Sequence, residues 1–357
     1  MDSKTKILEY LSEEEYVSGQ LLAEKCGISR SAVHKAVEGL RKSGYIILAV
    51  NNRGYCLKEF PDNLDEKEIS SILKDSGYSD SSVYCYSELD STISESKRMI
   101  SKLSFFRDER DNLTEEGKKL HASLVVCGKQ TAGRGRMGRV FESPENSGVY
   151  TALIYAPKNG IKNPALMTAG AAVAVARTVK ELYGVECKIK WVNDVFFEEK
   201  KISGILTEGI ANFETGTVTA AIVGIGINVR NQKFSPEIAK VAGCIEDIMK
   251  EKNIIVPKVS RNQIAAVLTK HLLKIYGEIF ENEYSGQMPF MEEYKERNIL
   301  IGKTVKVNPA AGLNGECYTA KVIDITDNAE LVVQTDGKKI LKLSSGEVSL
   351  KSENFCQ

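Results

Sequence analysis

Apolar residues recur with different periods along the 357-residue chain, and the changes of period divide it into three segments. In the first, residues 1–63, Ile7, Leu8 and Leu11 share one helical face, and Leu21, Leu22 and Ala23 mark a second helix ending at Cys26-Gly27. Ser29 is placed to cap a third helix, with Val33, Val37 and Leu40 as its buried stripe and Gly44 as its stop. The pattern then shortens. Ile46 to Val50 and Tyr55 to Leu57 flank the polar turn Asn51-Asn52-Arg53-Gly54, which predicts a two-stranded hairpin. Three helices and a hairpin make a winged helix-turn-helix.

The second segment, residues 64–298, opens on the charged run Asp65 to Glu68 after Pro61 and mixes strands with helices. Strands are predicted over Ser82–Ser87, Ser123–Cys127, Gly148–Ala156, Lys188–Val192, Val195–Phe197, Ile202–Glu208 and Val218–Gly224. The longest apolar stretch, Ala165 to Val179, is too short for a membrane span and contains Arg177. Asn163 as N-cap, Pro164 at the first helical position and Gly184 at the far end make it a buried helix of a globular domain. Ile264, Val267, Leu268, Leu272 and Ile275 mark another amphipathic helix, and His271 on that stripe reads as packing. Leu103 to His121 has no clear period and is read as a loop or mobile insertion. The third segment, residues 299–357, alternates over Lys303–Val307, Thr319–Ile325 and Glu330–Val333, with Gly337 and Gly346 at turns, and predicts a small SH3-like barrel. Gly302-Lys303-Thr304 matches the end of a P-loop, but Arg297 stands where its first glycine belongs.

Basic and acidic residues balance at 48 each, so the whole-chain charge argues for neither nucleic acid nor membrane. The balance hides a local excess. Residues 25–58 carry Lys25, Arg30, Lys35, Arg41, Lys42, Arg53 and Lys58 against one acid, Glu38. Such a patch neutralises phosphates. Arg30, Ser31, His34 and Lys35 lie off the apolar stripe near the start of the third helix, where a recognition helix meets base edges, and Arg53 sits at the wing tip. A protein-binding helical module with a solvated basic face is the alternative. Eight scattered cysteines without a Cys-x-x-Cys pair, and only three histidines, argue against a disulfide framework or a zinc site. The amino terminus has no apolar signal core, and a cytoplasmic, reducing location is expected.

The densest chemistry is Gly133-Arg134-Gly135-Arg136-Met137-Gly138-Arg139. Arginine offers a permanently charged fork matched to phosphate oxygens, and glycine lets backbone approach a ligand. The same letters fit the dinucleotide pattern G-x-G-x-x-G, which needs a helix next. Val140 to Gly148 contains Pro144, Ser143 and Ser147 instead, and no acid stands near Lys158, about 20 residues on, where the ribose ligand belongs.

A second cluster, Lys190-Trp191-Val192-Asn193-Asp194, precedes Lys200-Lys201-Ile202-Ser203-Gly204, and a third is Gly224-Ile225-Gly226-Ile227-Asn228. With the arginine loop and the winged helix, these motifs resemble the bacterial bifunctional biotin protein ligases and biotin-operon repressors over nearly the whole chain. The resemblance implies an α+β protein: winged helix-turn-helix, a central mixed α/β catalytic domain similar to class II aminoacyl-tRNA synthetases and lipoate ligases, and an SH3-like domain. It implies ATP with Mg2+, biotin as substrate, and biotinyl-5'-AMP as intermediate and corepressor. Its partners would be the biotin carboxyl carrier protein of acetyl-CoA carboxylase or a similar carboxylase, operator DNA, and a second copy in an adenylate-bound homodimer.

The resemblance gives the central cationic role to Lys201, with Arg134, Arg136 and Asp194 beside it, while Lys200 is read as solvated. Ser91, Thr92, Gln130, Gly133 and Gly204 would complete the biotin pocket with Arg134, Arg136 and Lys201. Arg136, Arg139, Trp191, Asn193 and Asn228 would bind the nucleotide. No side-chain cage for a metal is implied, only Mg2+ near Asp194. Four positions depart from the family pattern: Met137 for arginine, Phe141 for tryptophan, Ile93 for asparagine and Val192 for proline. A ligand-sensing DNA-binding regulator without catalysis, and a ligase without repression, are the alternatives.

Overall fold

The computed structural model describes residues 3–12, 15–42, 45–59, 62–103, 106–108, 112–211, 217–280, 288–308, 317–344 and 347–350. The chain forms two compact units, residues 1–63 and 64–357. The first contains helices α1 (Ser3–Tyr10), α2 (Gly19–Cys26) and α3 (Arg30–Lys42) and the hairpin of β1 (Ile46–Val50) and β2 (Gly54–Glu59). Ser18 Oγ accepts from Leu21 N at 3.1 Å to start α2, and Gly27 ends it at φ 67°. Ser29 Oγ accepts from Ala32 N at 3.2 Å at the start of α3. Ile7, Leu22, Val33, Val37, Leu40, Ile47 and Leu57 pack as its core. Gly44 and Gly346, read above as a helix stop and a turn, lie outside the described residues.

The second unit runs through α4 (Glu66–Asp75), β3 (Val83–Tyr86), α5 (Thr92–Ser101), α6 (Glu115–Leu120), β4 (Ser123–Cys127), β5 (Gly148–Tyr155), α7 (Pro164–Tyr183), β6 (Lys188–Lys190) and β7 (Asp194–Phe197). It continues with β8 (Lys200–Ala211), β9 (Val218–Asn228), α8 (Pro236–Ala239), α9 (Ile245–Glu251), α10 (Arg261–Phe280) and α11 (Pro289–Glu296). Strands β3 to β9 form one seven-stranded sheet in the order β3-β4-β5-β9-β8-β7-β6, antiparallel except for β3 with β4. Alternation decides what each face meets. Leu153, Val223, Ile225 and Ile227 join the core that includes α7 and α10, whereas Ala152, Ile154 and Ile222 face Ile93 of α5. The remaining strands, β10 (Thr304–Asn308), β11 (Tyr318–Ile325), β12 (Leu331–Thr335), β13 (Ile340–Leu343) and β14 (Glu347–Leu350), make a five-stranded antiparallel sheet in the order β13-β12-β11-β10-β14. Its Val305, Val322 and Leu331 belong to the same continuous core as α7 and the large sheet.

Helix α7 starts where its sequence signals place it: Asn163 Oδ1 accepts from Ala165 N, Pro164 follows, and Gly184 closes the end at φ 70°. Several expectations are corrected. The strand drawn through Val192 stops at Lys190, because residues 191–193 turn the chain back into β7. Strand β9 runs on through Gly224 to Asn228, since its glycines keep their ladder partners on both sides. The stretch Leu103 to His121 is not structureless. Thr114 accepts from Gly117 N to cap α6, and Arg107 Nη2 donates to Pro157 O at 2.7 Å and Thr219 O at 2.9 Å. Among the described residues no helix is long and apolar enough to cross a membrane.

Candidate active site

A cavity of ≈ 280 Å³ opens on the α5 face of the large sheet. Its floor is Gly204 and Leu206 of β8 with Gly224 and Gly226 of β9, cross-strand neighbours in the ladder. The glycines are required by what lies on them. A Cβ at Gly226 would fall 2.3 Å from the Phe141 ring, and one at Gly224 would fall 2.4 Å from Ile93 Cδ1. In Gly224-Ile225-Gly226-Ile227 the isoleucines point down into the main core while the bare positions face the cavity.

One end of the cavity is a hydrogen-bonded polar shelf. Thr92 N and Oγ1 donate to Gln130 Oε1 at 2.9 and 3.3 Å, and Gln130 Nε2 donates to Ser143 Oγ at 2.8 Å. Ser91 and Thr92 are buried at the start of α5. Asp90, just before them, accepts from Ser91 N at 2.7 Å and takes Arg98 in a two-pronged pair at 2.7 and 3.0 Å. The Arg98 guanidinium draws the Asp90 carboxyl down to about 2.

The other end is charged. Lys201 Nζ lies 2.7 Å from Asp194 Oδ1. Asp194 Oδ1 is buried, so this ion pair is its partner inside the cavity wall. Arg136 Nη1 donates to Asn193 Oδ1 at 3.1 Å, and Asn193 Nδ2 donates to Ile205 O at 3.0 Å. Arg134 and Arg139 reach the same cavity from an exposed loop, and Lys190 and Trp191 line it from buried positions. Met137, at φ 57°, stands at the loop tip and is 54% exposed, so a side chain there faces water rather than the cavity. Among the described residues no group of three histidine, cysteine, aspartate or glutamate side chains could hold a metal ion. Asp194, a single carboxylate already facing an ammonium, does not make a resident metal site.

The structure thus gathers Ser91, Thr92, Gln130, Arg134, Arg136, Arg139, Trp191, Asn193, Asp194, Lys201 and Gly204 around one space. Gly133 and Asn228 are not part of that wall. Gly133 packs behind it, with Phe141 O 2.3 Å from where its Cβ would be, and Asn228 is buried at the end of β9 with Oδ1 unpartnered. Lys200 is not simply solvated: its Nζ donates to Ala239 O and Lys240 O. His271 does more than pack, with Nε2 2.8 Å from Glu181 Oε2, and burial lowers its pKa. The sequence reading assigned no cavity role to Ile93, Lys190, Gly224 or Gly226, although their motifs carried the signal. It had no means of finding Asn308, Val348 and Ser349, which the small sheet brings to the cavity.

In the first unit Arg30, Ser31, His34, Lys35 and Arg53 are all exposed. Arg41 is not available to a phosphate, because its guanidinium binds Ile47 O and Glu38. Arg53 lies over the Tyr16 ring, 4.8 Å from its centroid, which steadies the wing tip.

The profile of the biotin/lipoate A/B protein ligase family matches residues 106–228, and that of an HTH domain matches residues 4–56. The bifunctional ligase/repressor BirA of Bacillus subtilis is 33% identical over 339 residues, covering 94% of both chains. BirA of Escherichia coli is 27% identical over 97% of both. Among solved structures, the biotin protein ligase from Aquifex aeolicus in complex with biotin and ATP covers 76% of this chain and 99% of its own, with a TM-score of 0.58 at 24% identity, a likeness of fold. Coverage from end to end by the BirA proteins, with both segments matched in order, shows that the chain belongs to the bifunctional biotin ligase/repressor family.

Proposed function

We propose that this protein is an ATP-dependent biotin protein ligase that forms biotinyl-5'-AMP, transfers biotin to a lysine of a carboxylase carrier domain, and represses biotin genes through its winged helix. The observation that carries the reading is the shared cavity of Lys201, Arg134, Arg136 and Arg139, with Thr92 and Gln130 at its other end. Biotin's carboxylate and the α-phosphate are both anions. Two unit charges 4 Å apart repel by about 4 kcal/mol at an effective dielectric near 20. Fixed cations offset that repulsion and the charge that grows during attack.

Biotin's ureido ring sits at the polar shelf of Ser91, Thr92 and Gln130, backed by Gly133, with the chain over Gly204 and the carboxylate at Lys201. A carboxylate oxygen bonds to the α-phosphorus while the bond to the β-bridging oxygen breaks and pyrophosphate leaves. Lys201 gives up its contact with Asp194 for the forming acyl phosphate. Arg134 and Arg136 cover the carboxylate end, and Arg136, Arg139, Trp191 and Asn193 take the nucleotide. Mg2+ is assigned to the triphosphate as its counterion. In the second half-reaction Asp194 orients the carrier lysine, whose neutral amine attacks the acyl carbon as the acyl–oxygen bond to AMP breaks and the proton shed by the nitrogen passes to the departing phosphate. Closure of the arginine loop shields the mixed anhydride from water. A cytoplasmic location accords with the described cysteines, all of them free.

For repression, biotinyl-5'-AMP that stays bound favours a homodimer, and two copies of the Arg30–Lys35 face and the Arg53 wing read a palindromic operator. The test of catalysis is biotin-dependent exchange of labelled pyrophosphate into ATP. Lys201→Ala is expected to lower kcat/KM by roughly 10³-fold, as removal of a preorganised charge does. Exchange by wild type with lipoate instead of biotin, or undiminished exchange by Lys201→Ala, rejects the reading.

A further inference from the structure

The segment Lys190 to Asp194 carries Asp194, which meets Lys201, and Asn193, which meets Arg136, yet it is a turn between two short strands, β6 and β7. Such turns are usually exposed and mobile. This one is gripped from behind. Tyr294, on α11, is fully buried, and its hydroxyl donates to Val192 O at 3.1 Å. Trp191 Nε1 donates to Ala329 O, in the turn between β11 and β12, at 2.8 Å. Ile189 N donates to Arg297 O, and Ile299 N to Ile189 O, so the chain following α11 also pairs with β6. On the cavity side Ile205 N donates to Asn193 O and Asn193 Nδ2 to Ile205 O.

Tyr294 does not touch the cavity. A phenylalanine would fill the same volume, so packing alone does not call for the hydroxyl. Burial raises the pKa of that hydroxyl, with the charges of Arg136 and Asp194 acting on it in opposite senses. Both belong to the charged end of the cavity.

We propose that Tyr294 is a positioning residue: by holding Val192 O it fixes the turn so that Asn193 meets Arg136 and Asp194 meets Lys201. The kinetic part of this inference rests on the ligase reading. The structural part does not, and the chain supplies its own probe, because Trp191 is its single tryptophan.

The experiment compares full-length wild type, Tyr294→Phe and Tyr276→Phe. Tyr276 is a matched control, since its buried hydroxyl makes an equivalent bond to Met167 O at 3.0 Å, away from the turn. Acrylamide quenching of Trp191 is expected to rise about threefold in Tyr294→Phe and to stay at the wild-type value in Tyr276→Phe. In pyrophosphate exchange Tyr294→Phe should lose about tenfold in kcat with KM for biotin within twofold, because the Thr92–Gln130 shelf is not attached to the turn. Tyr276→Phe should keep its kcat. Unchanged quenching in Tyr294→Phe overturns the proposal, and so do equal kinetic losses in both variants, which mark general destabilisation. Absence of exchange in wild type defeats the ligase reading and with it the kinetic part, leaving the quenching result to decide whether the hydroxyl holds the turn.

Discussion

Two segments supply the charged end of the cavity, and they are built in opposite ways. The arginine loop, residues 133–139, closes mainly on itself: Gly135 N donates to Arg139 O, Arg139 N to Arg136 O, and Phe141 N to Gly133 O. Its Arg134, Met137 and Arg139 are exposed. The turn Lys190 to Asp194 is anchored to α11, to the β11–β12 turn and to β8, and Trp191 and Val192 are buried. The difference follows from what each must do. Groups that stabilise charge as it develops work best when their orientation is fixed beforehand, whereas groups that enclose a ligand must first admit it. Arg136, donating to Asn193, joins the two.

The sharpest way to break the comparison is at that joint. Arg136→Ala removes a cation from the cavity without uncovering a core, so exchange kcat/KM should fall roughly 10²-fold while the melting temperature stays within about 2 °C. A loss below threefold in steady-state exchange would mean that the loop does not act with the turn. A smaller effect is expected at the loop tip. Met137→Arg adds a charge on an exposed position, where such interactions are worth at most about 1 kcal/mol. KM for ATP should fall by no more than about fivefold at low ionic strength, and the gain should vanish in high salt. A gain that persists at high salt would place residue 137 inside the cavity rather than in water.

The sequence exposed the charges more readily than the frame that holds them. The arginines stand out because permanent charge beside glycine has no packing purpose, Lys201 and Asp194 stand out through the family motifs that hold them, and α7 stands out because Asn163, Pro164 and Gly184 mark both ends. Helix α5 escaped notice for a physical reason: its buried residues at the cavity end are Thr92, Ile93 and Ser96, too polar a set to make an apolar stripe. Gly224 reads as the end of a strand and Gly226 as part of the motif that follows, when both belong to the flat floor on which Ile93 and Phe141 rest. Asn308 and Ser349 were invisible because nothing local in β10 or β14 signals which distant wall they meet. Asn228, which closes its motif, is buried at the end of β9 with an unpartnered side-chain oxygen, outside the residues that line the cavity. The helices α4, α9 and α11 are short, and their packing against neighbours, rather than their own periodicity, makes them stable.

Amide hydrogen exchange across residues 133–139 and 190–194, with and without biotin and ATP, tests the central claim most directly. The preformed turn should be slow to exchange in both conditions, while the arginine loop should exchange fast alone and gain at least tenfold protection when biotinyl-5'-AMP forms. Fast exchange of the turn without ligand, or a loop equally protected in both conditions, would contradict the division between a fixed anchor and a closing cover.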